Sequence, residues 1–198
     1  AARKIRTSPI HDRLDAANAV WGVSYGLEHA LWFQRPGRPA EEAVTLRRSN
    51  AWDLVGEECA AVRTGVGLIE TTNFAKYEFA GPGARGFLDW LLANTIPAPG
   101  RMVLTPMLNR QGRLIGDFTL ANLTPNGDAD AYHGRAATGR STGMPLGSER
   151  FMLFGSGVAE HYHERWFLDR LHDWHESRGW SDPSRDVRMY VLGRSLCG

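Results

Sequence analysis

Hydrophobic and polar positions alternate most clearly over residues 113–123. Leu114, Gly116, Phe118 and Leu120 fall on one side, and Ile115, Asp117, Thr119 and Ala121 on the other. A period of two predicts a strand with one buried face. Residues 101–108 predict its partner strand, and Asn109-Arg-Gln-Gly112 supplies the hairpin turn. Residues 75–80 also alternate, Lys76 and Glu78 against Tyr77 and Phe79, and predict a half-exposed strand. After the Gly81-Pro-Gly83 turn, Phe87, Leu88 and Leu91 recur at helical core spacing over 84–92. A short strand is predicted at 151–154. A helix follows over 158–176, with Tyr162, Trp166, Phe167, Leu171 and Trp174 as its apolar face.

The flanks are less regular. Leu14, Ala17, Val20 and Trp21 recur at three and four, which predicts helix within 9–30. Arg35-Pro-Gly-Arg-Pro39 is a break. A second helix is predicted from an N-cap at Asp53, with Val55, Cys59 and Val62 as its stripe and Gly65 as its stop. Residues 66–69 are a short apolar run, 124–149 are Gly-rich and polar and predict a mobile insertion, and 177–198 show no clear pattern. Together these elements predict an α+β fold. It has a mostly antiparallel sheet with packed helices and a helical N-terminal extension. The organisation expected is an extension or linker over 1–48, a domain over 49–176 interrupted at 124–149, and an unassigned tail over 177–198.

Composition narrows the classes. The chain has 198 residues, 42% hydrophobic and 23% charged, with a formal net charge of +1. Wholesale disorder, collagen and disulfide scaffolds are excluded. The balance of charge gives no footprint for nucleic acid or an anionic membrane. Of 23 basic residues only Lys4 and Lys76 are lysine, but the arginines are scattered and form no patch. Cys59 and Cys197 make no motif, so a reducing, cytoplasmic setting is expected. The longest run free of Asp, Glu, Lys and Arg, residues 16–27, is too short to span a bilayer. The chain opens Ala-Ala-Arg-Lys with neither a Met nor an apolar leader, which reads as a piece of a longer protein.

Three features invite chemistry. Gly81-Pro-Gly83-Ala-Arg-Gly86 spells a dinucleotide fingerprint. However, its strand alternates, Pro82 removes a phosphate-binding N–H, and no acidic residue follows at the ribose distance. A tight turn opening a helix is the better reading. His172 and His175 share a helix face, but Glu160, Glu164, Asp169 and Asp173 surround them and no ligand set is completed, so no metal is expected. Asp117 stands mid-strand, where a carboxylate is disfavoured. It is either a solvent-facing residue or a carboxylate aimed into a cleft, able to accept a hydrogen bond from an amine or to take a proton.

Several stretches together resemble the folate-binding domain of the aminomethyltransferase family, which includes the glycine-cleavage T-protein and the C-terminal part of flavin-linked dimethylglycine and sarcosine dehydrogenases. They are Ala61-Val-Arg-Thr-Gly-Val-Gly-Leu-Ile69, Asn73-Phe-Ala-Lys-Tyr-Glu-Phe-Ala-Gly-Pro-Gly83 with Phe87-Leu-Asp-Trp-Leu-Leu-Ala-Asn94, Leu104-Thr-Pro-Met-Leu-Asn109, and Gly112-Arg-Leu-Ile-Gly-Asp-Phe-Thr119. Ser8-Pro-Ile-His-Asp-Arg-Leu14, Leu31-Trp-Phe33 and Phe151-Met-Leu-Phe-Gly-Ser-Gly157 resemble the dehydrogenase branch. The likeness runs over 7–123 and 150–172 and matches only the N-terminal part of such a domain. It implies a tetrahydrofolate cofactor, with FAD belonging to a domain absent from this chain.

By the same resemblance Asp117 matches the family's catalytic aspartate. Phe74 matches a large apolar residue near the pteridine, and Leu104 stands where the T-protein branch has a tyrosine. Thr119 projects to the side of Asp117 by the period-two rule. Gly116 replaces the first residue of the T-protein's Asp-Asp pair. The implied function is part of a tetrahydrofolate-binding, one-carbon transfer domain of a dimethylglycine/sarcosine dehydrogenase-like enzyme acting on a small methylated amine. The alternatives are a stand-alone folate-dependent aminomethyltransferase or demethylase, and a catalytically silent domain that docks on a flavoprotein or on itself through Trp21 and Trp32.

Overall fold

Turn chemistry and β-branched residues decide the N-terminal region in the computed structural model, which describes residues 4–24, 26–125, 149–179 and 187–192. These fall into two compact units, one up to Asn73 and the other from Phe74 onward. In the first, α1 (His11–Ala16) stops before Asn18, whose φ is +62° and whose amide donates to the carbonyls of Arg35 and Arg38, both at 3.1 Å. Asparagine is one of the few side chains that tolerates this left-handed backbone. The chain then forms an antiparallel hairpin, β1 (Ala19–Ser24) and β2 (Leu27–Phe33), turning at Gly26 with φ +84°. The helical spacing over 9–30 is therefore realised only in its first part. Val20, Trp21 and Val23, which prefer a pleated surface, pair with β2 instead.

The second helix, α2 (Trp52–Thr64), ends at Gly65 as the sequence predicts. Asp53 lies in its first turn, not at the cap, and the Val55–Cys59–Val62 stripe is not core, since the helix buries no residue. The apolar run at 66–69 forms no strand, and Val66, Leu68 and Ile69 are exposed.

The second unit is a five-stranded, wholly antiparallel sheet. Its strands are β3 (Phe74–Gly81), β4 (Met102–Leu108), β5 (Leu114–Asn122), β6 (Glu149–Ser156) and β7 (Arg188–Leu192), in the spatial order β4-β5-β6-β3-β7. One face is covered by α3 (Ala84–Leu91) and α4 (Glu160–Ser177), the latter preceded by a single 3-10 turn, Gly157–Ala159. Phe167 of α4 sits at the centre of this core, with ring centroids 4.8 Å from Tyr77, 5.3 Å from Phe79 and 5.6 Å from Phe118. Each such aromatic burial contributes about 1.5–3 kcal/mol, and the edge contacts add roughly 0.5–1.5 kcal/mol per pair.

The second unit departs from expectation in two places. β3 is a central strand flanked by β6 and β7, so Glu78 is buried and not half-exposed. Arg150 makes that burial tolerable, its Nε and Nη2 donating to the two Glu78 oxygens at 2.7 and 2.9 Å. β7 comes from the tail for which the sequence showed no pattern. The mobile insertion expected over 124–149 lies almost wholly outside the described residues. The Gly81–Gly83 turn joins β3 to α3, and β3 is antiparallel to both neighbours, unlike the parallel strands of a dinucleotide-binding unit. Among the described residues no helix is long and apolar enough to cross a membrane.

Candidate functional site

The antiparallel register decides which side chains share the sheet face turned away from α3 and α4. Leu104 of β4 pairs with Thr119 of β5, and Pro106 with Asp117. Thr119 also pairs with Phe154 of β6, and Phe74 of β3 pairs with Ser156. Continuing the β5–β6 register by two residues sets Asp117 level with Ser156, and so two strands, roughly 10 Å, from Phe74. The fold thus brings Asp117, Thr119, Leu104 and Phe74 onto one face.

The character of that face is mixed. Leu104 is 75% exposed, Met102 69% and Phe74 49%, an open apolar shelf on which a flat ring has area to bury. Asp117 is exposed and has no hydrogen-bond or ion-pair partner among the described residues. Its carboxylate is therefore not held in a structural ion pair. It can accept a hydrogen bond from an amine or take a proton. Thr119, half-buried beside Leu104, offers a hydroxyl on the same side.

The opposite face of β5 explains the glycine that precedes Asp117. A Cβ on Gly116 would lie 2.6 Å from Nε2 and 3.0 Å from Cε1 of His163. His163 comes from α4, is 3% exposed, and packs edge-on against Phe118 with centroids 4.8 Å apart. Its Nε2 lies 3.2 Å from the carbonyl oxygen of Ile115, which can only accept, so the ring N–H donates there. Burial lowers the His163 pKa from its ordinary value, opposed by the Ile115 hydrogen bond and by the Asp117 charge. A neutral imidazole therefore grips the backbone of β5 next to Asp117.

His163 and the Glu78–Arg150 pair are the features that the sequence reading missed. The first needed knowledge of which α4 residue meets Gly116, and the second a contact across 72 positions. His172 is exposed and His175 buried, and no group of three or more metal-ligating side chains forms among the described residues. Tyr77, fully buried, donates its hydroxyl to the Glu160 carbonyl at 3.0 Å, and burial raises its pKa.

Comparison with known proteins adds an independent line. The family model described as "GCVT N-terminal domain" matches residues 10–129. Mouse mitochondrial pyruvate dehydrogenase phosphatase regulatory subunit is 33% identical over 128 residues, covering 62% of this chain and 15% of that protein. Mouse mitochondrial dimethylglycine dehydrogenase is 33% identical over 104 residues, 52% of this chain and 12% of the relative. Human mitochondrial sarcosine dehydrogenase is 29% identical over 188 residues, 81% of this chain and 19% of the relative. The chain therefore spans less than a fifth of these relatives. Among solved structures, the aminomethyltransferase T of the Bartonella henselae glycine cleavage system shares the fold, with a TM-score of 0.57 at 16% identity, covering 96% of this chain and 39% of that one.

Proposed function

The chain belongs to the GCVT N-terminal domain family, and from that premise we propose that the face carrying Asp117 is one wall of a tetrahydrofolate site used in one-carbon transfer. The observation that carries this reading is an unpaired carboxylate, Asp117, set among the apolar side chains Leu104, Met102 and Phe74 on one sheet face. That donor set suits a flat, amine-bearing ring system. Tetrahydrofolate, when bound, supplies the secondary amine that captures a one-carbon unit. Asp117 accepts that amine's N–H at its carboxylate and so orients the nitrogen. It also stabilises the positive charge that accompanies capture, and takes the proton that the nitrogen sheds. Leu104 and Phe74 give area to the ring, and Thr119 a hydroxyl beside it.

In this reading the folate-binding part runs over 49–176 and works in a cytoplasmic, reducing setting. The one-carbon unit comes from a small methylated amine oxidised by a flavin held elsewhere, in a longer protein or in a partner. Isothermal titration of the full chain with tetrahydrofolate, beside Asp117→Ala, is the test. Loss of one charge-assisted hydrogen bond weakens binding by about tenfold. Equal affinity in both proteins removes Asp117 from the site.

A second reading, a catalytically silent interaction domain, is favoured by one observation. It is not the one expected from Trp21 and Trp32, since Trp32 is 3% exposed and Trp21 is half-buried, stacked on His11 with its indole N–H on Asp15. Instead α2 leaves Trp52, Val55 and Val62 exposed along its length, in a chain one of whose relatives is described as a regulatory subunit. Absence of tetrahydrofolate binding together with stable self-association in light scattering favours this second reading.

A further inference from the structure

The end of β5 that carries Asp117 is held differently from the rest of the strand. Pairing with β6 runs from Asn122–Phe151 to Thr119–Phe154 and stops there, although β6 continues along β3 as far as Ser156. On the other side the β4 register skips one residue. Met107 faces Gly116 and Leu108 faces Leu114, so Ile115 is the extra residue of a β-bulge, two positions before Asp117. Ile115 accordingly packs against the core. A bulged residue leaves the ladder, and bulges re-aim the side chains that follow them. Residues 115–118 are therefore tied to the sheet along one edge only, and by an irregular pairing.

His163 of α4 takes the place of the second edge. Its Nε2 donates to the carbonyl of the bulged Ile115 at 3.2 Å, and its ring stands edge-on to Phe118 with centroids 4.8 Å apart. These two contacts bracket Asp117 from the core side. Nδ1 of the ring has no hydrogen-bond partner among the described residues, so its polar hold there is on β5 alone. Two glycines clear the space for this packing. A Cβ on Gly116 would lie 2.6 Å from His163 Nε2, and one on Gly155 of β6 would lie 2.7 Å from Phe118 Cε1. At 3% exposure the imidazole is out of reach of anything bound on the Asp117 face.

We propose that His163 is a positioning residue, which stands in for the absent β6 ladder at the bulged end of β5 and so sets where the Asp117 carboxylate meets a ligand. This role rests on the Asp117 face being the ligand site, so it is read both without and with ligand. Supporting contacts of this kind decide how closely a binding group keeps its place.

Amide hydrogen exchange of the full chain, followed by NMR without ligand, compares residues 115–118 with 119–122, which have β-partners on both sides. His163→Leu fills the pocket but donates nothing. Exchange over 115–118 then rises by at least about tenfold more than over 119–122. His163→Gln has an amide N–H to offer the same carbonyl and keeps that ratio within about threefold of the unsubstituted chain. By calorimetry, tetrahydrofolate binds at least about tenfold more weakly to His163→Leu and within about threefold of normal to His163→Gln. If His163→Leu does not fold, Gly116→Ala displaces the ring instead and gives the same local rise in exchange. An equal change in both segments, or no rescue by glutamine, overturns the proposal. So does equal tetrahydrofolate affinity in the unsubstituted chain and His163→Leu, which leaves the folate reading standing. A chain that binds no tetrahydrofolate removes the folate reading, and the exchange ratio then decides the role of His163 by itself.

Discussion

Gly116→Ala tests the coupling between the core and the Asp117 face most directly. Gly116 has no left-handed backbone, so alanine is conformationally allowed, and the unfolded chain loses entropy to the extent of about 0.4–1 kcal/mol in the variant's favour. Against this stands a contact of 2.6 Å to His163 Nε2, which must lengthen by about 0.8 Å to become ordinary van der Waals contact. The imidazole has little room to yield, since it is buried, edge-on to Phe118 and bonded to the Ile115 carbonyl. Overpacking of this kind costs roughly 1–3 kcal/mol, and loss of the hydrogen bond about 1 kcal/mol more. The net expectation is a destabilisation of about 1–3 kcal/mol. Urea unfolding reads it as a midpoint lowered by roughly 0.5–1.5 M at unchanged slope. Adding His163→Ala makes room for the new methyl group, so the double variant is more stable than the sum of the single variants by at least about 1 kcal/mol. Unaltered stability in Gly116→Ala, or simple additivity in the cycle, refutes the reasoning.

Other outcomes follow from the same contacts. Arg150→Met leaves the Glu78 carboxylate buried against a thioether and costs about 3–5 kcal/mol, much of which Glu78→Met on the same background restores; urea midpoints of the single and double variants check this. His163 has its folded pKa below the ordinary 6.5, so the unfolded chain binds the proton more readily. Its contribution to stability is complete above about pH 6.5 and is lost as the pH falls from there toward the folded value, so His163→Gln flattens the pH dependence of the urea midpoint between pH 5 and 7. Phe167→Ala removes the ring at the centre of the aromatic cluster and costs about 3–5 kcal/mol by thermal or urea unfolding. Val62→Ser on the exposed face of α2 changes stability by less than about 0.5 kcal/mol in the same assay.

Why some elements were legible in the sequence and others were not follows from where their partners lie. β5 could be read residue by residue because one face is core, Phe118 and Leu120, and the other is not. Its hairpin with β4 was legible because the turn is local. The Asn109 side chain accepts the N–H groups of Gln111 and Arg113, and Gly112 takes φ +73°. β3 misled because two charges, Lys76 and Glu78, imply solvent, and the Arg150 that pairs with the buried one comes from a strand far along the chain. β7 carries no alternation of its own and becomes a strand by pairing with β3 from Lys76–Leu192 to Ala80–Arg188. In the N-terminal unit the periodicity of Leu14 and Ala17 was sound for one turn and a half. The left-handed Asn18 then overrode it. Of the four candidate site residues, Asp117 and Thr119 were placed together by period two, whereas Leu104 and Phe74 rested on the resemblance alone.

The Gly116–Asp117 step also bears on what distinguishes this chain from relatives with two aspartates in sequence. Successive strand side chains point to opposite faces, so residue 116 cannot share the Asp117 face whatever its identity. An aspartate at 116 places its carboxylate on the α4 side, where even a Cβ meets His163 at 2.6 Å. A desolvated carboxylate there raises the His163 pKa and invites a buried ion pair, where this chain has a neutral imidazole bonded to Ile115. The glycine therefore leaves the number of carboxylates on the site face unchanged. What it changes is the support behind them, because α4 packs directly on the β5 backbone and fixes it through the residue immediately before the Gly116–Asp117 step. On this argument the two sequence versions differ in how the Asp117 strand is held, and a shift in that support moves Asp117 without altering any residue of the site itself.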